Sequence, residues 1–405
     1  MKYPKLRMDL QAVPVVIEGR SCVAFHDPLG LAGESFAVDR QLLPFFQLLN
    51  GRNDLRDLQM TLMRRQGGHI IPLEEIEKFL FELDRNGLLE SERFRQEMVS
   101  LKEAFRGKEN REPVHAGRSY SDDKEALRRF IDDTEKALSP VPPESSGKDV
   151  SGVIAPHIDI SVAAPVYVDL YRRLRGGSYD VVFILGINHR EQDGLYSVSS
   201  KHYGTPFGDL KTDREFISRL SRSVPPGTLA SDDFGHRTEH SVEFQAVFLR
   251  YYLGPETPIV PVLCGGIHEF LMTGQDMTAD ARFEGMARAV EDILSETGRK
   301  ALIVAGVDFA HVGRKFGHAE TGASLLGPAR KNDEELLAAL ERTDGPAIFE
   351  NAWRTRDRFN TCGLPALILL SRLLRGCRGT CLAHEIYDEK ATESAVTYAS
   401  MIFHP

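Results

Sequence analysis

Residues 301–311 read ALIVAGVDFAH. The first positions form a continuous apolar run, the pattern of a strand buried on both faces. The run breaks at Gly306 and delivers Asp308 and His311 where the strand should end. In open α/β sheets, ligands sit outside the carboxyl ends of the strands. Two earlier stretches are built alike: Val153–His157 reads VIAPH, and Val181–His189 reads VVFILGINH. Three apolar strands each finish on a histidine, a set that can converge on one pocket.

Around these stretches strands and helices alternate. Strands are expected near 151–155, 180–186, 194–200, 258–263, 301–306, 380–387 and 395–402. Helices are expected near 162–175, 212–223, 240–252, 280–297, 333–342, 345–352 and 364–375. This alternation implies βαβ crossovers: an α/β fold whose sheet is mostly parallel, or mixed, with helices on both faces. Only DEKATES separates the last two strands, so an antiparallel hairpin is expected there.

The residues before this region read differently. Residues 1–92 form a first domain. Val15–Phe25 suggests paired strands, Gln41–Leu49 is apolar at helical spacing, a second helix runs to about Arg65, and Gly67-Gly68 is a turn. A third helix follows Pro72, with acids in its first turn, Ile76, Phe79, Leu80 and Leu83 as its apolar stripe, and Gly87 at its end. Three helices followed by LLES resemble a small winged-helix domain, nearest the PqqD-like peptide-binding type; a ligand-free helical accessory domain is the plainer reading. The third helix is acidic, which argues against DNA. Residues 93–112 are strongly charged, a solvated helix or linker, and residues 113–405 hold the α/β domain. Residues 139–149 are a Pro/Ser-rich loop.

Composition excludes several classes. The 405 residues are 42% hydrophobic and 27% charged, with a net charge of -9. That balance argues against a nucleic-acid footprint. The amino terminus lacks the apolar core of a signal peptide, and no apolar run reaches the roughly 20 residues of a membrane span. Five scattered cysteines do not make a disulfide framework, so a cytoplasmic location is expected. No P-loop, dinucleotide fingerprint, nucleophile elbow or HExxH occurs, so no nucleotide cofactor is expected. Cys377 and Cys381 lack a second pair for a structural zinc site.

Five places hold candidate chemistry: His157, His189, the pair His240 and Glu243 at the start of a helix, the pair Asp308 and His311, and Cys362 in FNTCGLP. Taken singly, each has a plainer role. A histidine after a strand is usually a hydrogen-bonded structural residue, Glu243 suits the helix dipole, and a free cysteine is usually a small buried hydrophobe. Jointly, imidazoles ending apolar strands beside carboxylates and a thiol form a first-row metal donor set.

These motifs fall in a recognisable order: His115-Ala-Gly-Arg-Ser-Tyr120, Ala155-Pro-His157, Ile184-Leu-Gly-Ile-Asn-His189, Glu239-His-Ser-Val-Glu243, Ile259-Val-Pro-Val-Leu-Cys-Gly265, Asp308-Phe-Ala-His311, Asn360-Thr-Cys-Gly363 and Ser394-Ala-Val-Thr-Tyr-Ala399. Together they resemble the Memo family, in the form called AmmeMemoRadiSam system protein B, from about residue 112 to the end. The resemblance implies a fold similar to class III extradiol ring-cleaving (LigB-like) dioxygenases. It implies His157, His189 and Cys362 as ligands of iron, Fe(II), or copper. Asp308, His311 and His240 match further pocket residues, and with Glu243 they form an expected acid/base set. Dioxygenase-like redox chemistry with O2 is one expectation. A non-catalytic scaffold is the other, with a radical SAM enzyme, an AMMECR-type protein and a small-molecule or peptide ligand as expected partners. Two departures stand out. APHIDISVAAP replaces the family's APHAGYxYSG, and Arg190 stands where relatives often carry a second histidine, so the pocket wall has changed.

Overall fold

The structure is a computed structural model describing residues 2–31, 36–65, 71–141, 149–190 and 193–405. The Gly67-Gly68 turn and most of the 139–149 loop lie outside these residues. The chain divides into two compact units, Met1–Gly107 and Lys108–Pro405.

The first unit opens with an antiparallel meander of β1 (Gln11–Ile17), β2 (Arg20–His26) and β3 (Phe36–Asp39). Glu18 and Gly19 both have positive φ and form the two-residue turn that matches the twist of a hairpin. Then come α1 (Leu43–Phe46), α2 (Leu55–Arg65), α3 (Leu73–Arg85) and α4 (Glu92–Arg106). The expected helix over 41–49 shrinks to α1 and a preceding 3-10 turn. Ile76, Leu80 and Leu83 of α3 are buried against Val23, Phe25 and Phe46. The wing expected at Leu88–Ser91 is not a strand: Leu89 makes a single bridge to Leu6. Buried Arg7 donates to Gly87 O at 2.6 Å and to Asp27, fastening the same segment. The charged stretch expected as a solvated helix or linker is, over most of its length, the helix α4 of this unit, capped by Ser91 Oγ.

The second unit contains β4 (Asn110–Arg111), α5 (Lys124–Ala137), β5 (Gly152–Ala155), α6 (Ile160–Arg172), β6 (Val181–Ile187), β7 (Tyr196–Val198), β8 (His202–Tyr203), α7 (Arg214–Ser223), α8 (His240–Tyr252), β9 (Ile259–Cys264) and α9 (Ile267–Thr273). It continues with α10 (Ala281–Thr297), β10 (Ala301–Gly306), β11 (His311–Gly313), α11 (Gly322–Glu341), α12 (Gly345–Thr355), α13 (Leu364–Leu373), β12 (Arg378–Glu389) and β13 (Ser394–His404). Among the described residues one mixed sheet runs β11-β13-β5-β10-β6-β9-β7, with β12 also on β13. β5, β10, β6 and β9 are mutually parallel, and β12–β13 is the expected antiparallel hairpin.

The apolar runs are buried on both faces because helices cover both. In β6, Phe183 and Leu185 face a layer that includes α7, α10, α12 and α13, while Val182 and Ile184 face α5, α6 and α8. The same alternation in β10 sends Ile303 and Ala305 one way and Leu302 and Val304 the other. Because β10 lies between β5 and β6, the ends bearing His157, Asp308 and His189 come side by side.

The break at Gly306 has a packing cause. A Cβ there would lie 2.5 Å from Ser241 O and 2.6 Å from Gln245 Nε2, so only glycine lets the first turn of α8 rest on the sheet. Among the described residues no helix is long and apolar enough to cross a membrane.

Candidate metal centre

Three strand ends and two helix starts build the site. His157 follows β5 and is buried. Its N–H donates to Asp308 Oδ1 at 2.9 Å, and its ring Nδ1 lies 3.0 Å from Gly306 O. A carbonyl can only accept, so Nδ1 carries the proton and Nε2 keeps a free lone pair. His189 follows β6 and is exposed; its Nδ1 lies 2.9 Å from Glu239 Oε2, which again frees Nε2. Cys362 precedes α13, and its Sγ lies 3.3 Å from His157 Nε2. Donor atoms of His157, His189 and Cys362 all fall within 4.8 Å of one another. Metal–nitrogen and metal–sulfur bonds of about 2.0–2.3 Å fit within that spacing.

His240 joins the cluster at the start of α8. Its ring centroid is 5.0 Å from that of His157 and 5.2 Å from that of His189, nearly parallel to the latter. His311 sits at the rim in β11, its Nδ1 3.1 Å from Phe309 O. Asp308 is buried, and its second oxygen lies 3.7 Å from His157 Nε2.

Glu243 points elsewhere. It is fully buried in an ion pair with Arg111, and it also accepts from the Tyr120 hydroxyl and from His115 N–H. The carboxylate that touches the imidazoles is Glu239, four residues earlier. It caps α8 by accepting from His240 and Ser241 N–H, and it meets both His189 and His240 Nδ1. The signal for it was an acid at the N-cap position, one residue before a helix-starting histidine. His189, Glu239 and His240 form a second group whose donor atoms are also within 4.8 Å.

The cysteine loop is held by its own sequence. Arg356, Asp357 and Asn360 all adopt left-handed backbone. Asn360 Nδ2 donates to His311 O at 3.2 Å and to Phe316 O at 3.1 Å, tying this loop to β11. A Cβ at Gly363 would lie 2.8 Å from Val307 Cβ, so glycine brings Cys362 against the Asp308 turn.

Burial and neighbouring charges shift most of the titratable groups of the cluster. Burial, then the neighbouring imidazoles, hold His157 well below the usual histidine range; burial likewise pulls His311 down to about 4. Although its side chain reaches solvent, desolvation within the cluster lowers His189 too, but the charge and hydrogen bond of Glu239 outweigh it and leave the pKa raised. Burial opposes ionisation of Glu239, yet His189 and His240 hold it well below the carboxylate range. Burial raises Asp308 to about 6. Burial, then Asp308, push the Cys362 thiol well above its ordinary value. Held neutral, the His157 imidazole offers its Nε2 lone pair as it stands. The thiol becomes a thiolate only where a positive ion offsets that penalty. This counts against Cys362 as a free reactive thiolate.

The residues therefore define a soft, mixed nitrogen–sulfur donor site at the carboxyl edge of a doubly covered sheet. A family model described as "Memo-like protein" matches residues 111–402. A MEMO1 family protein of Aquifex aeolicus is 32% identical over 94% of this chain and 95% of its own length. MEMO1 family proteins of Methanosarcina acetivorans and Methanopyrus kandleri are 28% and 27% identical, over 73% and 72% of this chain and 99% and 98% of theirs. The chain belongs to the Memo-like family. The Aquifex match takes in much of the first unit, whereas the archaeal relatives match about three quarters of this chain over nearly their whole length.

Proposed function

We propose that this protein binds one iron or copper ion through His157 Nε2, His189 Nε2 and Cys362 Sγ, in a pocket suited to dioxygenase-like redox chemistry. The observation that carries the reading is the meeting of one donor atom from each of these three residues within 4.8 Å, from positions far apart in the chain. Two imidazoles and a thiolate suit such ions better than magnesium or calcium. Such an ion would supply electron transfer to or from a bound substrate or O2.

The protein's own groups do the rest. Gly306 O and Glu239 fix the tautomers of His157 and His189. His240 presents an imidazole beside the donors, where it can take a proton from a ligand hydroxyl; His311, pulled down to about 4, is the weaker base at the rim. Asp308, raised to about 6, can hold a proton next to His157. Titration of the metal-free protein with Co(II) or Cu(II) tests the binding step. A thiolate-to-metal charge-transfer band is expected in wild type and absent in Cys362→Ser; an identical spectrum in both would count against the site. Oxygen uptake with Fe(II) and catechols tests turnover.

A second reading is a non-catalytic scaffold, whose first unit presents a peptide or partner protein, such as a radical SAM enzyme or an AMMECR-type protein. It is favoured by the archaeal relatives, which match nearly end to end without about a quarter of this chain. A winged-helix-like, PqqD-like role for that unit belongs to this reading. Pull-downs with and without residues 1–107 test it: unchanged partner capture by the shortened protein counts against it.

A further inference from the structure

A second cleft of about 390 Å³ lies in the second unit, bounded by the start of α10, the turn between α11 and α12, and the end of α13. Seven residues of α13, about 10 Å of helix rise, separate Leu364, beside the metal site, from Ser371 in this cleft. Its chemistry differs from that of the histidine cluster. Three arginines line it: Arg342, Arg372 and Arg375. Arg372 is committed to Glu284 and Glu291. Among the described residues, neither Arg342 nor Arg375 has a carboxylate within ion-pair distance.

The acids lining the cleft are already occupied. Hydrogen bonding from Arg372 first, with Arg288 also contributing, holds Glu284 down to about 2. Asp344 caps α12 by accepting from Ala347 N–H at 3.1 Å. An independent observation points to a ligand. Ser371 is 1% exposed and lines the cleft, yet its Oγ has no hydrogen-bond partner in the protein. A buried hydroxyl left unpaired is costly, and a bound acceptor oxygen would relieve the cost. Phe283 and Ile368 add an apolar wall, and the volume exceeds that of a bare phosphate ion.

We propose that this cleft binds a small phosphomonoester, with Arg342, Arg375 and the Ser371 hydroxyl on the phosphate and the organic body against Phe283 and Ile368. Guanidinium forks suit phosphate oxygens in pairs. This site is independent of the metal reading, and its test is arranged to stay so. Ribose 5-phosphate and inorganic phosphate are titrated calorimetrically into the full-length protein at low salt. The ester should bind, and more tightly than inorganic phosphate. The double variant Arg342→Ala/Arg375→Ala should weaken it by at least about tenfold, and both side chains are exposed, so the fold is retained. Ser371→Ala should weaken it severalfold with the circular dichroism spectrum unchanged. Metal content should match wild type in every variant. No measurable heat, equal affinity for inorganic phosphate, or an affinity that the double variant leaves intact would each overturn the proposal.

Discussion

Cys362 Sγ lies 3.3 Å from His157 Nε2, although 205 residues separate them in the chain. Sulfur and nitrogen meet because β5 and β10 are adjacent and parallel, and because Gly363 lets the cysteine loop close on the turn after β10. In the metal-free protein the sulfur should be a protonated thiol. Iodoacetamide should therefore modify Cys362 slowly at pH 7, more slowly than an unfolded control. Fast modification of the metal-free protein would contradict the burial and Asp308 effects assigned to it.

Glu239 positions two imidazoles and Glu243 none. Glu239→Gln should therefore weaken metal affinity by about 10- to 100-fold, as loss of an orienting carboxylate does elsewhere, with little change in the unfolding midpoint. Competition with a chromophoric chelator measures the first and urea titration the second.

Glu243→Ala should show the reverse pattern. It leaves the Arg111 guanidinium buried without its carboxylate, a loss of about 3–5 kcal/mol. Metal bound per folded molecule should remain near wild type. A catalytic role for Glu243 would instead reduce turnover without this loss of stability.

His236 supplies a pH dependence remote from the ligand atoms. Burial lowers its pKa to about 4; its Nδ1 accepts from the Tyr203 hydroxyl at 2.6 Å, and Nε2–H donates to Ser197 O at 3.1 Å. Its pKa is depressed on folding, so between about 6.5 and 4 the unfolded chain binds more protons than the folded one. Its contribution to stability is complete above that window and is lost as pH falls through it. The urea midpoint of metal-free protein should fall from pH 7 to 4.5. His236→Gln should be less stable at pH 7 but show a shallower fall. His157 and His311 shift in the same direction, so the fall should not vanish. A wild-type midpoint flat across this range would contradict the assignment.

Gly306→Ala should cost about 1–3 kcal/mol through overpacking and weaken metal binding as well, because the added methyl meets the turn of α8 that carries Glu239 and His240. Loss of stability with metal affinity intact would mean that α8 relaxes without moving the site.

The second unit was legible because its signals are strong and local. Ala301–Gly306 is a strand over the expected residues, and α8 begins at His240 as read. The first unit was less so: the stripe of α3 was visible, but the residues after Gly87 pair with the segment around Leu6, a contact that no local pattern announces. His157, His189 and Cys362 were among the candidates marked by residue type and position, the family resemblance grouped them as a set, and the fold brings them together. Glu239 and Glu243 were exchanged. Both lie beside the helix start, and only the tertiary position of Arg111, more than 100 residues away, decides which one turns inward to an ion pair. Likewise nothing local to Asn360 shows that its amide reaches back to β11.

Metal analysis of untagged, anaerobically prepared protein, comparing wild type with His157→Ala and Cys362→Ala, is the most direct test. Near one iron or copper per chain in wild type, and little in either variant, is the predicted result. Equal and negligible metal in all three, with the fold intact, would contradict a metal centre at these residues.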